Sequence, residues 1–243
     1  MQAAVRASLN QYVLKVRFVL ELYAGSCRWS RAAGRAGNVV ISIDLRFDAT
    51  SHNLGAKKLQ DAICGWIQAG WVTYWLAGFP CQSFSVARGQ PNGPPALRSA
   101  EHVEGLPTLS GHDLVKVQWG NAALAFVSKL LRLSLRMRVV GVAENPWRSW
   151  AWQQPVALRL RQRADVRFAR ADFCQFGTSW QKATGFMTVH ADVGHIDRVC
   201  QCRSGLCIRS GRPHLRLQGK SPEGVFWTTL AEAYPASLCR SLV

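Results

Sequence analysis

Short apolar segments that alternate with longer amphipathic ones constrain the fold of this chain most strongly. The apolar segments Val16–Tyr23, Asn38–Asp44 and Trp71–Leu76 are rich in β-branched and aromatic residues, which is typical of strands. Between them, Arg28–Ala36 and Leu54–Gln68 carry apolar residues at helical spacing. Strands that alternate with helices predict an α/β fold, with a mostly parallel sheet and helices on both faces.

The alternation continues through the second half of the chain. Helices and strands are predicted over His112–Arg136, Val139–Ala143, Pro155–Arg163, Val166–Ala171 and Phe186–Asp192. The stretch Val86–Gly111 is rich in Gly, Pro and polar residues, so we predict a functional loop, a lid or a disordered segment before the longest helix.

Composition divides the chain into three predicted parts. Residues 1–193 carry the alternating pattern and form the expected core. Residues 194–220 are rich in Cys, His and Arg, and we expect an insertion that contacts a target molecule. Residues 221–243 are expected to return to the core as a helix over Phe226–Leu242, interrupted at Pro235.

The charge of the chain points to a class of partner. Among 243 residues, 30 Lys and Arg stand against 14 Asp and Glu, a net charge of +16. Such an excess attracts nucleic acid, because neutralised phosphates release counterions, although a basic surface also serves solubility. No apolar run reaches the roughly 20 residues of a membrane span. Met1–Lys15 lacks the pattern of a secretory signal, so we expect an intracellular protein without a membrane partner.

Two predicted strand ends carry residues suited to binding a nucleotide. The first ends in Tyr23-Ala24-Gly25, where a glycine lets backbone amides approach a ligand closely. Asp44 ends the next strand, 44 − 25 = 19 positions later. A carboxylate at about this spacing commonly accepts hydrogen bonds from ribose hydroxyls. An Asp at a strand end also caps helices, so both interpretations stay open.

Cys81 and Glu144 end two further strands. The Pro80-Cys81 turn restricts the backbone and places the sulfur at the ligand-binding edge of the sheet. A thiolate beside a carboxylic acid suits attack on an electron-poor heteroaromatic ring, with the acid engaging a ring nitrogen. A buried structural thiol and a helix N-cap are the alternatives for these two side chains.

Three ordered motifs at these strand ends resemble those of the DNA (cytosine-5)-methyltransferases. Pro80–Ser85 is similar to the family's catalytic motif, Leu20–Ser26 to its cofactor motif, and Glu144–Pro146 to the motif with its catalytic glutamate. The resemblance covers about residues 16–192. It implies a Rossmann-like S-adenosylmethionine-dependent methyltransferase fold and methyl transfer to C5 of cytosine.

The resemblance also implies roles for individual residues. Cys81 would attack C6 of cytosine, Glu144 would hydrogen-bond N3, and Lys182 would be a cation near the target base. The residues expected to contact S-adenosylmethionine are Tyr23, Ala24, Gly25, Asp44, Asp61 and Pro80. The reaction requires an unstacked base, so base flipping or a single-stranded substrate is implied, with DNA preferred over RNA.

After the third motif the chain departs from the family. A Gln-x-Arg-x-Arg signature is replaced by Gln181-Lys182-Ala183-Thr184, in which Lys182 replaces one arginine and Thr184 cannot replace the other. The family's late Gly-Asn-x-Val-Pro motif is missing, and the remaining chain is short for a target-recognition domain. Two alternatives therefore stand: a nucleic-acid-binding module without turnover, and a methyltransferase of another substrate in which Cys81 is structural.

The Cys/His-rich segment predicts a structural zinc site. Its ligands would be Cys200, Cys202, Cys207 and His214, which would staple a loop that lacks its own core. One residue between the first two cysteines is unusual spacing for a zinc site, so chance clustering is the alternative. The other cysteines apart from Cys81 are expected to be isolated buried thiols: Cys27, Cys64, Cys174 and Cys239.

Overall fold

The computed structural model describes residues 16–90, 93–219 and 222–243. The prediction for Met1–Lys15 lies outside the described residues. Within them, six strands form one sheet in the order β2-β1-β3-β4-β6-β5. These strands are β1 (Phe18–Leu22), β2 (Val40–Ile43), β3 (Val72–Gly78), β4 (Val140–Pro146), β5 (Val166–Asp172) and β6 (Ala183–Val189).

The sheet is mostly parallel. Strands β1 to β4 are parallel to one another, and β6 lies between β4 and β5 and is antiparallel to both. The chain first steps from β1 to β2 on one side, and then to β3 on the other side of β1. The switch in direction therefore lies between β1 and β3, and ligands of open α/β sheets bind beyond the carboxyl ends of strands at such a point.

Helices cover both faces of the sheet. They are α1 (Arg28–Arg35), α2 (Lys57–Gln68), α3 (Gly111–Met137), α4 (Pro155–Arg161), α5 (Trp227–Leu230) and α6 (Ala236–Ser241). Successive residues of a strand point to opposite faces of the sheet. Accordingly, Leu20 and Trp75 pack in one buried cluster with α2, α3 and α4, whereas Val19 and Leu76 pack in another with α1 and α6. The predicted Rossmann-like α/β fold is confirmed.

The structure shifts two predicted elements. Strand β6 begins at Ala183 rather than Phe186. Its pairing with β4 begins at Thr184, which lies opposite Pro146. The closing helix is divided into α5 and α6, and Pro235 immediately precedes α6 because proline has no amide hydrogen to continue a helix. No helix in these described ranges is both long and apolar enough to cross a bilayer.

Candidate active site

The carboxyl ends of β1 to β4 open into one cleft of about 500 Å³. It lies at the switch in strand order, where the topology predicts a ligand. Eight of the residues predicted to act on cofactor or substrate line it: Tyr23, Ala24, Gly25, Asp44, Pro80, Cys81, Glu144 and Lys182. The fold thus brings together side chains from five separate chain segments.

The turn between β1 and α1 has a strained backbone. The φ angles are 56° at Tyr23, 49° at Gly25 and 51° at Cys27. For a bulky residue such as Tyr23, this left-handed conformation costs roughly 1–3 kcal/mol, and such strain clusters at functional sites. The Gly25 amide donates to Asp44 Oδ2 at 2.8 Å, so the two predicted residues are in direct contact.

Asp44 also organises the loop that follows β2. Its Oδ1 accepts a hydrogen bond from the Arg46 amide at 2.9 Å. A carboxylate can accept about four hydrogen bonds, so these two amides leave lone pairs for the hydroxyls of a ligand. The same loop returns to the cleft at His52, Leu54 and Gly55.

Asp61 does not belong to the cleft. It lies on the exposed side of α2, where its carboxylate pairs with Lys57 one turn earlier. The hydrogen bond and charge of Lys57 lower the pKa of Asp61. Asp61 was expected among the S-adenosylmethionine contacts, but α2 directs its side chain toward solvent, outside the cleft.

The turn after β3 holds Cys81 in the cleft through backbone contacts. The Phe84 amide donates to the Cys81 carbonyl at 3.0 Å, which closes the turn. Asn145 Nδ2 donates to the Phe79 carbonyl at 2.8 Å and ties the turn to the end of β4. Because Asn145 follows Glu144 directly, this bond fixes the Cys81 turn relative to Glu144.

Arg98 supports the same turn, although the sequence did not predict a role for it. Its side chain is 3% exposed, and its guanidinium lies 4.0 Å from the centre of the Phe84 ring. It donates to the Ser83 carbonyl at 2.9 Å and to the Asn121 side-chain oxygen at 2.9 Å. Burial lowers the pKa of Arg98 to about 10, so the group stays charged at neutral pH.

Glu144 is a buried acid with a defined partner. The Tyr234 hydroxyl donates to Glu144 Oε2 at 3.0 Å. Burial raises the pKa of Glu144, while the charge of Lys182 and the Tyr234 hydrogen bond oppose the rise. Gly78 permits this contact, since a Cβ at that position would lie 2.6 Å from the Tyr234 oxygen and 3.1 Å from Glu144 Oε2. A raised pKa favours the protonated acid, which can donate to a ring nitrogen.

The electrostatic surroundings of Cys81 favour its thiol form. Burial raises the pKa of Cys81, and the charge of Glu144 adds to this, whereas Lys182 opposes it. Protonation of Glu144 removes one of the charges that disfavour the thiolate. The two side chains are therefore coupled: a neutral Glu144 makes Cys81 easier to ionise.

Lys182 reaches the cleft from the segment before β6. Its carbonyl accepts the Phe173 amide at 3.1 Å, and its Nζ lies 4.9 Å from the centre of the Phe173 ring. Thr184, two positions later, is fully buried within β6. Of these two, only Lys182 lines the cleft.

Several cleft residues were not predicted from the sequence: Glu21, Arg46, Trp119, Glu232 and Tyr234. Glu21 lies within the first motif, and its carboxylate accepts the Ser30 amide at 2.9 Å, so its motif position could have identified it. Burial raises the pKa of Glu21. Tyr234 comes from the C-terminal segment, 90 positions from Glu144, and no local pattern marks it.

A compact Cys/His cluster lies away from the cleft, and its membership differs from the predicted set. The sulfur atoms of Cys174, Cys200 and Cys207 and a ring nitrogen of His214 all lie within 4.8 Å of one another. The expectation that Cys174 is isolated is wrong, because the 3₁₀ helix Phe173–Phe176 carries it to the loop. Cys202 is exposed and does not belong to this group of four.

Comparison with known proteins leaves the sequence without a match, since neither a family model nor a curated protein matches it. Among solved structures, the chain is similar to the S. pombe Dnmt2 methyltransferase, with a TM-score of 0.41 and 15% sequence identity. The similarity covers 77% of this chain and 56% of that one, so this chain matches little more than half of its neighbour's length. The functional proposal therefore depends on the geometry of the cleft.

Proposed function

We propose that this chain transfers a methyl group from S-adenosylmethionine to C5 of cytosine in DNA through a covalent adduct on Cys81. The observation that carries the proposal is the meeting of Cys81, Glu144 and Lys182 in one cleft with the Gly25–Asp44 contact. A nucleophile, an acid and a cation beside a nucleotide-type turn match the requirements of this reaction.

The residues of the β1–α1 turn fit the proposed cofactor. Gly25 has no Cβ at a left-handed position, and Asp44 keeps lone pairs available for ribose hydroxyls. The cleft volume of about 500 Å³ falls within the usual range for ligand sites. S-adenosylmethionine would supply an electrophilic methyl group, and Tyr23, Ala24 and Pro80 would pack around it.

The protein side chains then have distinct tasks. The Cys81 thiolate forms a bond to C6, and the electron pair of the C5–C6 double bond becomes available at C5 while Glu144 donates a proton toward N3. Lys182 offsets negative charge on the thiolate. After C5 has taken the methyl group, a water molecule would accept the C5 proton, and that electron pair would reform the C5–C6 double bond as the S–C6 pair returns to the Cys81 sulfur. N3 would return its proton to Glu144, which restores the ring and both side chains. The net charge of +16 supports binding to the phosphate backbone of a flipped or single-stranded substrate.

Trapping of the adduct tests this proposal. Oligonucleotides with 5-fluorocytosine block the last step, because fluorine cannot leave C5 as a proton does. Wild type with labelled S-adenosylmethionine should give a labelled protein–DNA complex that survives denaturing electrophoresis. Cys81→Ala should abolish it, whereas Cys64→Ala, which changes a buried cysteine of α2 outside the cleft, should retain it. Cofactor binding without an adduct or methyl transfer, on DNA and on RNA, would refute the enzymatic proposal.

One observation favours a second candidate, a nucleic-acid-binding module of the same fold without turnover. The segment Gln181–Thr184 lacks the arginines of the Gln-x-Arg-x-Arg signature in the resembled family, and Thr184 is buried in β6 and does not line the cleft. Under this candidate, wild type and Cys81→Ala bind DNA equally, and affinity falls steeply with salt concentration. Salt-dependent binding with no adduct would identify this function.

A further inference from the structure

The Cys/His cluster has the spacing of a tetrahedral metal site. The Cys200 sulfur lies 3.7 Å from the Cys207 sulfur and 3.8 Å from His214 Nε2. With zinc–sulfur bonds of about 2.3 Å, two sulfur ligands of a tetrahedral zinc ion lie about 3.8 Å apart. The Cys200–Cys207 separation therefore matches the edge of a tetrahedral zinc site, and all four donor atoms lie within 4.8 Å of one another.

The loop that contains Cys200 and Cys207 offers no other buried residues to pack against them between positions 201 and 213. Residues 201–206 and 208–213 are exposed, whereas Cys200 and Cys207 are 6% and 1% exposed. The two pack with Cys174 in a separate buried cluster that consists of these three cysteines. Three thiols that form a miniature core by themselves gain little from apolar burial, so a metal ion explains their convergence better.

Polar groups around the cluster suit thiolate ligands. Gln175 Nε2 lies 3.5 Å from the Cys174 sulfur and 3.8 Å from the Cys207 sulfur. The Cys200 amide donates to Asp172 Oδ2 at 2.8 Å and thereby fixes the start of the loop to the end of β5. Such surrounding hydrogen bonds orient metal ligands and neutralise part of their negative charge.

From these observations we infer that Cys174, Cys200, Cys207 and His214 bind one Zn²⁺ ion. Binding would displace the protons of three thiols, and the metal would have a structural role. Cys174 replaces Cys202 of the sequence-based set. Cys202 approaches Cys200 at 3.8 Å and His214 Nδ1 at 3.7 Å, but its exposed side chain belongs to the rim of the site.

The site would join the loop to the segment that carries Lys182. Cys174 adjoins Phe173, whose amide donates to the Lys182 carbonyl, and the Leu215 amide next to His214 donates to the Ser179 carbonyl at 2.8 Å. A metal ion bound by both Cys174 and His214 would therefore join the two chain segments that hydrogen-bond to Lys182 and Ser179. The inference concerns metal binding and stands independently of methyl transfer.

Metal analysis of the full chain, purified without a histidine tag or chelator, tests the ligand set. Wild type should contain about one zinc ion per chain, and Cys174→Ser and His214→Ala should each fall to roughly 0.2 or less. Cys202→Ser and the matched control Cys64→Ser should both retain the metal. His214 lies in an otherwise exposed loop, so its variant provides a test even where Cys174→Ser fails to fold.

Cobalt substitution supplies a second measurement. Wild type loaded with Co²⁺ should show intense visible absorption from a tetrahedral site together with thiolate-to-metal charge transfer, and His214→Ala should lose this spectrum. Zinc-free wild type that also fails to take up zinc or cobalt would overturn the inference. Iron in place of zinc would overturn the choice of metal. Loss of zinc in Cys202→Ser with retention in Cys174→Ser would overturn the ligand set.

Discussion

The contact between Tyr234 and Glu144 can be tested by removing a single oxygen atom. Tyr234→Phe keeps the aromatic ring, which packs near Phe173 and Phe186, but deletes the hydroxyl that donates to Glu144 Oε2. Since the Glu144 side chain is buried, the lost donor cannot be replaced easily by water. We expect a loss of stability that depends on pH.

The size and sign of this dependence follow from the charge state of Glu144. Burial raises the pKa of Glu144 in the folded chain, so the free energy of unfolding falls as pH rises from the ordinary glutamate value through the raised one. A neutral hydrogen bond contributes about 0.5–1.5 kcal/mol and one to a charged group about 1.5–3 kcal/mol. Tyr234→Phe should therefore cost about 1 kcal/mol more at pH 9 than at pH 5. For a chain of this size, that corresponds to roughly 2–4 °C in Tm.

Thermal and urea unfolding of wild type and Tyr234→Phe at pH 5 and pH 9 measure this difference. Tyr74→Phe is a matched control, because Tyr74 packs edge-on against Trp29 at 5.0 Å and does not line the cleft. The control should lose the same stability at both pH values. If Tyr234→Phe also loses equal stability at both, its hydroxyl does not stabilise the charged form of Glu144, and the reasoning is refuted.

Three further predictions concern the walls of the cleft. At pH 8.5, iodoacetamide should modify Cys81 several-fold faster in Glu144→Gln than in wild type, because the charge of Glu144 raises the pKa of Cys81. Peptide mass mapping measures the two rates, and equal rates contradict this prediction. Gly25→Ala should cost about 1–2 kcal/mol in urea unfolding, because φ is 49° there, and an unchanged midpoint contradicts this. Arg98→Met should cost about 2–3 kcal/mol because it removes the donors to the carbonyl and hydroxyl oxygens of the buried Ser83, and a loss below about 0.5 kcal/mol argues against that role.

Local patterns in the sequence were sufficient to predict the fold. Apolar runs and helical spacing depend on neighbours within one or two turns, and the structure places the predicted strands within a few residues of their expected bounds. Strand β6 is the exception, since Ala183-Thr184-Gly185 is a weak strand sequence. These residues are extended because they pair with both β4 and β5, and that pairing is not visible in the sequence.

The residues of the cleft likewise include some that local patterns predict and others that they do not. The place of Gly25, Asp44, Cys81 and Glu144 in one cleft could be predicted because each lies at or just beyond the carboxyl end of a strand, and parallel strands bring these ends to one edge. Asp61, which the resemblance assigned to the cofactor, lies outside the cleft, because a resemblance in sequence does not show which way a helical side chain points. Residues such as Tyr234 and Cys174 act through contacts that span 90 and at least 26 positions, respectively, and no short motif encodes such contacts.

These distant residues affect the protonation balance at Cys81 and Glu144 that the proposed reaction requires. A reactive Cys81 must lose its proton, whereas Glu144 must keep one in order to donate to a ring nitrogen, and Lys182 lowers the pKa of both. Lys182 therefore favours the nucleophile but disfavours the protonated acid, and the Tyr234 hydrogen bond also disfavours that acid. Burial, which raises both pKa values, counteracts these effects. Lys182 and Tyr234 come from segments outside the three motifs, so the pKa values of Cys81 and Glu144, which burial raises, also depend on residues that the motifs do not cover.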